Sequence, residues 1–316
     1  MKLSINKIAN AIKKPRKILL YLSRPLESVG CFDWISDEHW IPIRYWLRMG
    51  KFPDLKNPYT YTEKLQWLKL HNRNPLYTKL VDKYEVKKFV ESRIGAEYVI
   101  TTLGIWDSFE DINFDSLPNQ FVLKTTHDSG GIVICKDKSK FDMENARKVL
   151  SRSLKHNYYL RTGREWPYKN VKPRIMAEKY MEDTGTRELR DYKFFTFGGG
   201  GCKALFVASD RQTVGEEVKF DYFDADFHKL DIITVHPHSK QNIEKPSCFD
   251  EMKSLAEKLS KGIPHVRVDL YEVNGRVYFG EMTFFHFSGS TPFTPEIWDE
   301  KFGQWLQLPQ VNDGNA

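Results

Sequence analysis

Val266-Arg267-Val268-Asp269-Leu270-Tyr271-Glu272-Val273-Asn274-Gly275-Arg276-Val277-Tyr278-Phe279-Gly280-Glu281-Met282 reads as one β-hairpin. Branched and aromatic residues recur along both arms, and the Asn274-Gly275 dipeptide between them accepts the positive φ angles of a tight turn. Counting outward from that turn sets Asp269 against residue 280, so Asp269 and Glu281 fall within one step of register. Two carboxylates side by side on adjacent strands repel unless a cation lies between them, and Mg2+ takes one or two carboxylates together with phosphate oxygens. The alternative is that each acid faces solvent separately. Val266, Val268, Leu270, Phe279 and Met282 make the arms half-buried, which favours a metal seat at Asp269 and Glu281.

Two upstream segments belong with the hairpin. Residues 121–124 form a short apolar strand ending in Lys124, followed by Thr125-Thr126-His127-Asp128-Ser129-Gly130-Gly131 and a second strand over 132–135. A small polar loop of this kind lets backbone N–H groups approach a phosphate while a lysine supplies point charge, although its pattern is not that of a P-loop and a plain turn is the alternative. Met176-Ala177-Glu178-Lys179-Tyr180-Met181 is an extended run at a place where two lobes can hinge.

Outward from these segments the chain alternates irregularly between helix and strand. Trp40, Ile43, Trp46 and Leu47 recur at helical spacing, residues 50–61 break the pattern at Pro53, Asn57 and Pro58, and 62–70 resumes it after a cap. The spacing predicts further helices over 76–92, 143–154 and 249–259, and strands over 98–101 and 174–180. Residues 189–197 and 202–208 flank a glycine turn at 198–201 as a second hairpin. The fold class expected is α+β with mainly antiparallel sheet. The division expected is a basic N-terminal segment over 1–30, a helical region over 31–75, the main domain over 76–308 and a tail over 309–316.

Composition narrows the function. A chain of 316 residues with 41% hydrophobic content can build a real core in one large domain or two modest ones. Its net charge of +6 is spread along the sequence and no nucleic-acid-binding motif is present, so no nucleic-acid partner is expected and the surplus suits phosphate-bearing ligands. Cys31, Cys135, Cys202 and Cys248 show no paired spacing, which argues against a disulfide framework or a zinc ribbon. His236 and His238 flank Pro237 without a third ligand and read as loop. The apolar run 18–22 is too short to span a bilayer or serve as a signal peptide, so a cytoplasmic location is expected. Lys2, Lys7, Lys13, Lys14, Arg16 and Lys17 beside that run allow weak contact with anionic lipid at the inner membrane face; a frayed, solvated terminus is the alternative.

The lysine-bearing loop, the Glu-Lys-Tyr-Met run and the hairpin acids, in that order, resemble the ATP-grasp superfamily. Asn57-Pro58, Thr62-Glu63-Lys64-Leu65-Gln66-Trp67, Asp191-Tyr192-Lys193-Phe194 and Val266-Arg267-Val268-Asp269-Leu270-Tyr271 are similar to its TupA-like branch, found in teichuronopeptide and capsular polysaccharide biosynthesis. The likeness runs from about residue 40 to 305. It implies two α+β subdomains clasping ATP, with a helical region in front. It also implies that Lys124, His127, Ser129 and the Gly130-Gly131 loop hold ATP phosphates, with Lys83 as a second phosphate-contacting lysine. By the same resemblance Glu178, Lys179, Tyr180 and Met181 line the adenine cleft, Lys193 meets the γ-phosphate or an acyl-phosphate, and Asp269 and Glu281 hold Mg2+; an ordinary helix-surface charge is the alternative for Lys83 and a solvent-facing lysine for Lys193.

Two departures stand out. Thr283 occupies the place where many superfamily members have an Asn, and 283–289 lacks the arginine that steadies the tetrahedral intermediate in many relatives; Arg267, Arg211 and His286 are the candidates to replace it, with a structural role for each as the alternative. The reaction implied is ADP-forming ligation, in which a carboxylate becomes an acyl-phosphate and an amine displaces phosphate. For this branch the resemblance points to a saccharide with a uronic-acid-type carboxylate, or an amino-acid side chain, and to an amino acid or amino sugar as amine. A sugar kinase, a polysaccharide-pathway glycosyltransferase and a non-catalytic nucleotide-binding module are the rivals. Replacing either hairpin acid by its amide is expected to stop ADP release and leave the fold intact.

Overall fold

The computed structural model describes residues 15–185, 189–209 and 217–310. Its front is helical: α1 (Pro15–Ser28), α2 (Asp37–Met49) and α3 (Tyr61–His71). Residues 1–14 of the basic N-terminal segment lie outside the described residues; the remainder is mostly α1, which leaves Leu19 and Leu22 exposed. Arg16 of α1 donates to the Leu47 carbonyl at 2.8 Å, satisfying the last turn of α2, which stops at Gly50 with φ 88°.

The segment Thr62-Glu63-Lys64-Leu65-Gln66-Trp67 lies in α3, and its polar members are fasteners. Thr60 caps the helix and Glu63 returns the bond to the Thr60 N–H at 3.1 Å. The Thr62 hydroxyl donates to Asp299 at 2.6 Å, and the Lys64 ammonium donates to the Gly303 and Leu306 carbonyls at 2.8 and 2.9 Å. These bonds fix α3 to α9 (Ile297–Trp305), near the far end of the chain. Gln66 donates to the Gly289 carbonyl at 2.6 Å and so holds the loop that follows the last hairpin.

Next come α4 (Leu76–Val81) and α5 (Glu85–Ile94) where one helix over 76–92 is expected. Asp82 breaks it, because its carboxylate accepts from the N–H groups of Tyr84 at 2.8 Å and Glu85 at 3.1 Å and starts a new helix. The strand expected over 98–101 is likewise displaced: Ala96–Tyr98 is a 3-10 turn and β1 is Thr102–Trp106.

A smaller lobe is built on a four-stranded antiparallel sheet in the order β1-β4-β2-β3, with β2 (Phe121–Thr125), β3 (Ile132–Cys135) and β4 (Ile175–Lys179). Leu150 of α6 (Met143–Leu154) packs with Phe121, Leu123, Ile175 and Ala177 as its core; α7 (Tyr158–Arg161) follows α6. A larger lobe carries a six-stranded antiparallel sheet in the order β10-β9-β5-β6-β7-β8. Its strands are β5 (Asp191–Phe197), β6 (Gly201–Ser209), β7 (Lys219–Asp224), β8 (Lys229–Leu230), β9 (His265–Val273) and β10 (Arg276–Thr283). One face packs on α8 (Phe249–Ser260), where Phe194 meets Phe249. The hairpins over β5–β6 and β9–β10 are those expected, and the architecture is α+β; β7 and α9 carried no signal that sequence reading picked out.

Candidate active site

The site grows from the register of three neighbouring strands. Lys193 of β5 lies opposite Asp269 of β9, and Phe195 opposite Arg267. On the other side of β9, Asp269 is opposite Glu281 and Arg267 opposite Thr283. Directly paired residues share a sheet face, so Asp191, Lys193, Arg267, Asp269, Glu281 and Thr283 form one polar patch. Counting from the turn gives residue 280 as the partner of Asp269. The register shifts by one between Phe279 and Glu281, leaving Gly280 as a bulge that brings Glu281 onto the Asp269 face. A Cβ on Gly280 would stand 3.0 Å from both the Asp269 carbonyl and the Tyr271 ring, which accounts for glycine there.

Arg267 is the centre of the patch. It donates to both oxygens of Asp269 at 2.7 Å, to Glu281 at 3.1 Å, to the Thr283 hydroxyl at 2.9 Å and to His286 Nδ1 at 2.9 Å. The His286 proton therefore sits on Nε2, which is buried without a partner among the described residues. Burial and the adjacent Arg267 cation hold this imidazole neutral, far below its ordinary pKa. Lys193 bridges Asp191 at 2.5 Å and Asp269.

The two acids differ sharply. Asp269 is fully buried, and burial pushes its carboxyl up to about 6 although Arg267 and Lys193 pull the other way. At Glu281 burial also penalises charge, but Lys193, Arg267 and Lys83 outweigh it and hold the carboxyl down to about 2. The Glu281 side chain is 39% exposed. The two acids expected to hold the metal stand side by side and differ in access: Glu281 opens onto a cavity, whereas the Asp269 oxygens accept from Arg267 and Lys193. Among the described residues no group of three or more His, Cys, Asp or Glu side chains is arranged to hold a metal by itself. The donor set fits an oxygen-ligated ion that retains phosphate or water ligands, with Glu281 the accessible carboxylate of the pair.

Lys124 of β2 in the small lobe and Lys87 of α5, whose apolar face joins the large-lobe core, both ion-pair with Glu178 of β4, Lys87 at 2.7 Å. Burial raises the Glu178 carboxyl, but the two ammonium groups outweigh it and hold the pKa below its ordinary range. A cavity of about 260 Å³ opens here, with Val122, Ile132, Ile134, Met181 and Leu189 as apolar walls and Lys124, Glu178, Lys179 and Tyr180 among its polar lining. Apolar walls with a few fixed polar groups suit a flat heterocycle.

The loop between β2 and β3 is organised by Asp128. Its carboxylate accepts from the Thr125 hydroxyl at 2.5 Å, the Gly131 N–H at 3.1 Å and the Ser153 hydroxyl, while its carbonyl accepts from the Lys83 ammonium. A Cβ on Gly131 would fall 2.2 Å from the Thr125 hydroxyl, whereas one on Gly130 would meet nothing within 4 Å. His127, expected among the nucleotide contacts, turns inward instead: it is 3% exposed, lines neither cavity and lies 3.1 Å from the His156 carbonyl. Lys83, Asp128 and Ser129 line a second cavity of about 510 Å³, together with Arg267, Glu281 and Thr283 from the large lobe. Arg211 lies outside the described residues.

Sequence reading passed over Lys87, one lysine among many on a helix. It gave Asp191 no site role beyond its place in the Asp191-Tyr192-Lys193-Phe194 segment, although two-residue periodicity places it on the Lys193 face.

Among solved structures, D-cycloserine synthetase is 15% identical over 73% of this chain and 71% of its own, with a TM-score of 0.42. D-alanine–D-alanine ligase from Bacillus anthracis, in complex with ATP, is 19% identical over 65% of this chain, with a TM-score of 0.36, and this chain spans 53% of its length. L-amino acid ligase from Bacillus licheniformis is 12% identical over 70% of this chain and 45% of its own, with a TM-score of 0.41. No curated protein matches the chain. The model of the TupA-like ATPgrasp family matches residues 63–307, most of the chain, and the protein belongs to that family.

Proposed function

We propose that this protein is an ADP-forming carboxylate–amine ligase using ATP and Mg2+, acting in capsular or other surface polysaccharide biosynthesis. The acid partner is a uronic-acid-type carboxylate on a saccharide, and the amine comes from an amino acid or amino sugar. Family membership supports the ATP-grasp chemistry. The observation that carries the reading is the single sheet face holding Lys193, Arg267, Asp269 and Glu281, whose Arg267 and Glu281 edge enters a cavity shared with Lys83 and the Asp128 loop.

In this reading the base lies in the apolar cavity between β2, β3 and residues 178–181, and the phosphates run past Lys124 towards Lys83 and Arg267. Glu281, with Asp269 beside it, would hold Mg2+, which when bound would neutralise charge on the phosphate oxygens. The substrate carboxylate attacks the γ-phosphorus, the bond to the ADP oxygen breaks, and an acyl-phosphate results. The amine nitrogen then attacks the acyl carbon, phosphate leaves and the ammonium proton is lost, giving an amide. Arg267 and Lys193 offset charge building on the transferred oxygens, so the chemistry rests on positioning and electrostatics. No protein nucleophile is required. Cys202 and Cys248 are poor ones, since burial pushes both thiols up to about 12.

The test is ADP release by the full chain across a grid of uronic acids and amines. A ligase releases ADP in quantity only when acid and amine are both present, whereas release with a sugar alone identifies a kinase. Lys124→Ala should weaken ATP affinity about tenfold or more, as expected for losing a charge-assisted contact worth about 1.5–3 kcal/mol. Unchanged nucleotide affinity in that variant removes Lys124 from the site.

A further inference from the structure

The cavity of about 510 Å³ is larger than the reacting groups need, and one of its walls comes from α2, which precedes the family-matched residues 63–307. That wall is cationic. Arg44 and Arg48, one helical turn apart on α2, both line the cavity, and Arg161 stands beside them. Arg44 is paired with Glu27 at 2.8 Å and Arg161 with both oxygens of Asp33, at 2.6 and 3.0 Å. Arg267, at the reacting end, is paired with Asp269 and Glu281. Arg48 alone among these arginines has no hydrogen bond or ion pair to any described residue. Its guanidinium is held down to about 10 by burial and by the neighbouring Arg44, which Glu27 offsets only in part, so the protein tolerates a cation there at a cost that a bound anion would relieve.

We propose that this cavity binds an acidic saccharide-sized substrate with two anionic groups, the reacting carboxylate at the Arg267–Glu281 end and a second carboxylate or phosphate held by Arg48. The proposal deepens the ligase reading and rests on it for which end reacts. It also gives the helical front a role: α1 positions Arg44 through Glu27, and α2 presents Arg48. A cavity of this size takes a sugar with one substituent, within the range of about 300–1,000 Å³ usual for small-molecule sites. A planar guanidinium can bind either oxyanion in bidentate fashion.

Calorimetry on the full chain tests this, with and without Mg2+ and a non-hydrolysable ATP analogue, using glucuronic acid, glucuronic acid 1-phosphate and galactaric acid as probes. The wild type should bind at least one of the two dianionic probes tenfold or more tightly than glucuronic acid, and which one it prefers separates phosphate from carboxylate. Arg48→Gln should abolish that preference while nucleotide affinity stays unchanged and the melting temperature does not fall, and Arg48→Lys should restore part of it. Equal affinity for the three probes, no binding of any of them, or a preference that survives in Arg48→Gln overturns the proposal. Failure of the ATP analogue to bind counts against the ligase reading instead, because the anion preference is read in its absence as well.

Discussion

Replacing the hairpin acids one at a time should give two different phenotypes. Asp269 is fully buried, and its carboxylate takes two bonds from Arg267 at 2.7 Å and one from Lys193. Asp269→Asn removes the negative charge that lies between two cations that stay buried, and breaking one partner of such a pair costs about 3–5 kcal/mol. In a chain of this size that lowers the melting temperature by roughly 4–8 °C. Glu281 is 39% exposed and its contact with Arg267 is a single bond at 3.1 Å, so after solvent screening Glu281→Gln should cost clearly less than Asp269→Asn, about 1–2 kcal/mol. Its loss should appear in metal dependence. Removing even an outer-shell partner of a metal costs about 10–100-fold in affinity, so removing a direct carboxylate should raise the Mg2+ concentration needed for tight ATP-analogue binding at least about tenfold. Thermal melts of both variants, beside Mg2+ titrations of fluorescent-nucleotide binding, measure the two effects separately. A thermally unaffected Asp269→Asn, or a Glu281→Gln with wild-type Mg2+ dependence, refutes the division of labour. Inactivity of Asp269→Asn alone would not establish metal binding, because the fold loses stability with it; this revises the expectation that both variants leave the fold intact.

Two further outcomes follow from packing and burial. Gly131→Ala should destabilise the protein by about 1–3 kcal/mol and weaken nucleotide binding, because its Cβ meets the Thr125 and Ser153 hydroxyls at 2.2 and 2.3 Å, whereas Gly130→Ala should be tolerated; equal melting temperatures for the two would show that the Asp128 network is soft. His265 is buried between the Tyr61 hydroxyl at 2.9 Å and the Thr196 carbonyl at 2.8 Å, and burial lowers its pKa from 6.5 to about 4. The unfolded chain then binds more protons between those two values, so stability falls as pH drops through that window, by about 3 kcal/mol from this group. Denaturant unfolding from pH 7 to pH 4 should show that slope in the wild type and lose it in His265→Gln, and an unchanged slope in the variant assigns the acid sensitivity elsewhere.

Much of the molecule is legible in its local chemistry. Asn274-Gly275 announces its hairpin because few dipeptides accept a turn with two positive φ angles, and the alternation around Lys193 announces a strand because its period is two. The polar members of the Thr62-Glu63-Lys64 segment are legible as a pattern but not as fasteners, since Asp299 and Gly303 are more than two hundred residues away in sequence.

Sequence alone determined the α+β class, the order of the lysine loop, the Glu178 run and the acid-bearing hairpin, and with them the family. Tertiary structure decided which of those residues meet. The bulge at Gly280 set Glu281 against Asp269, the inward turn of His127 removed it from the loop's outer edge, and Lys87 reached Glu178 from a separate helix. Arg48 joined the far wall of a cavity whose other side is the Asp269 hairpin. Strand period and turn preference are properties of a few neighbouring residues, whereas register, burial and the pairing of charges depend on which distant segments pack together, and no window of sequence contains both partners.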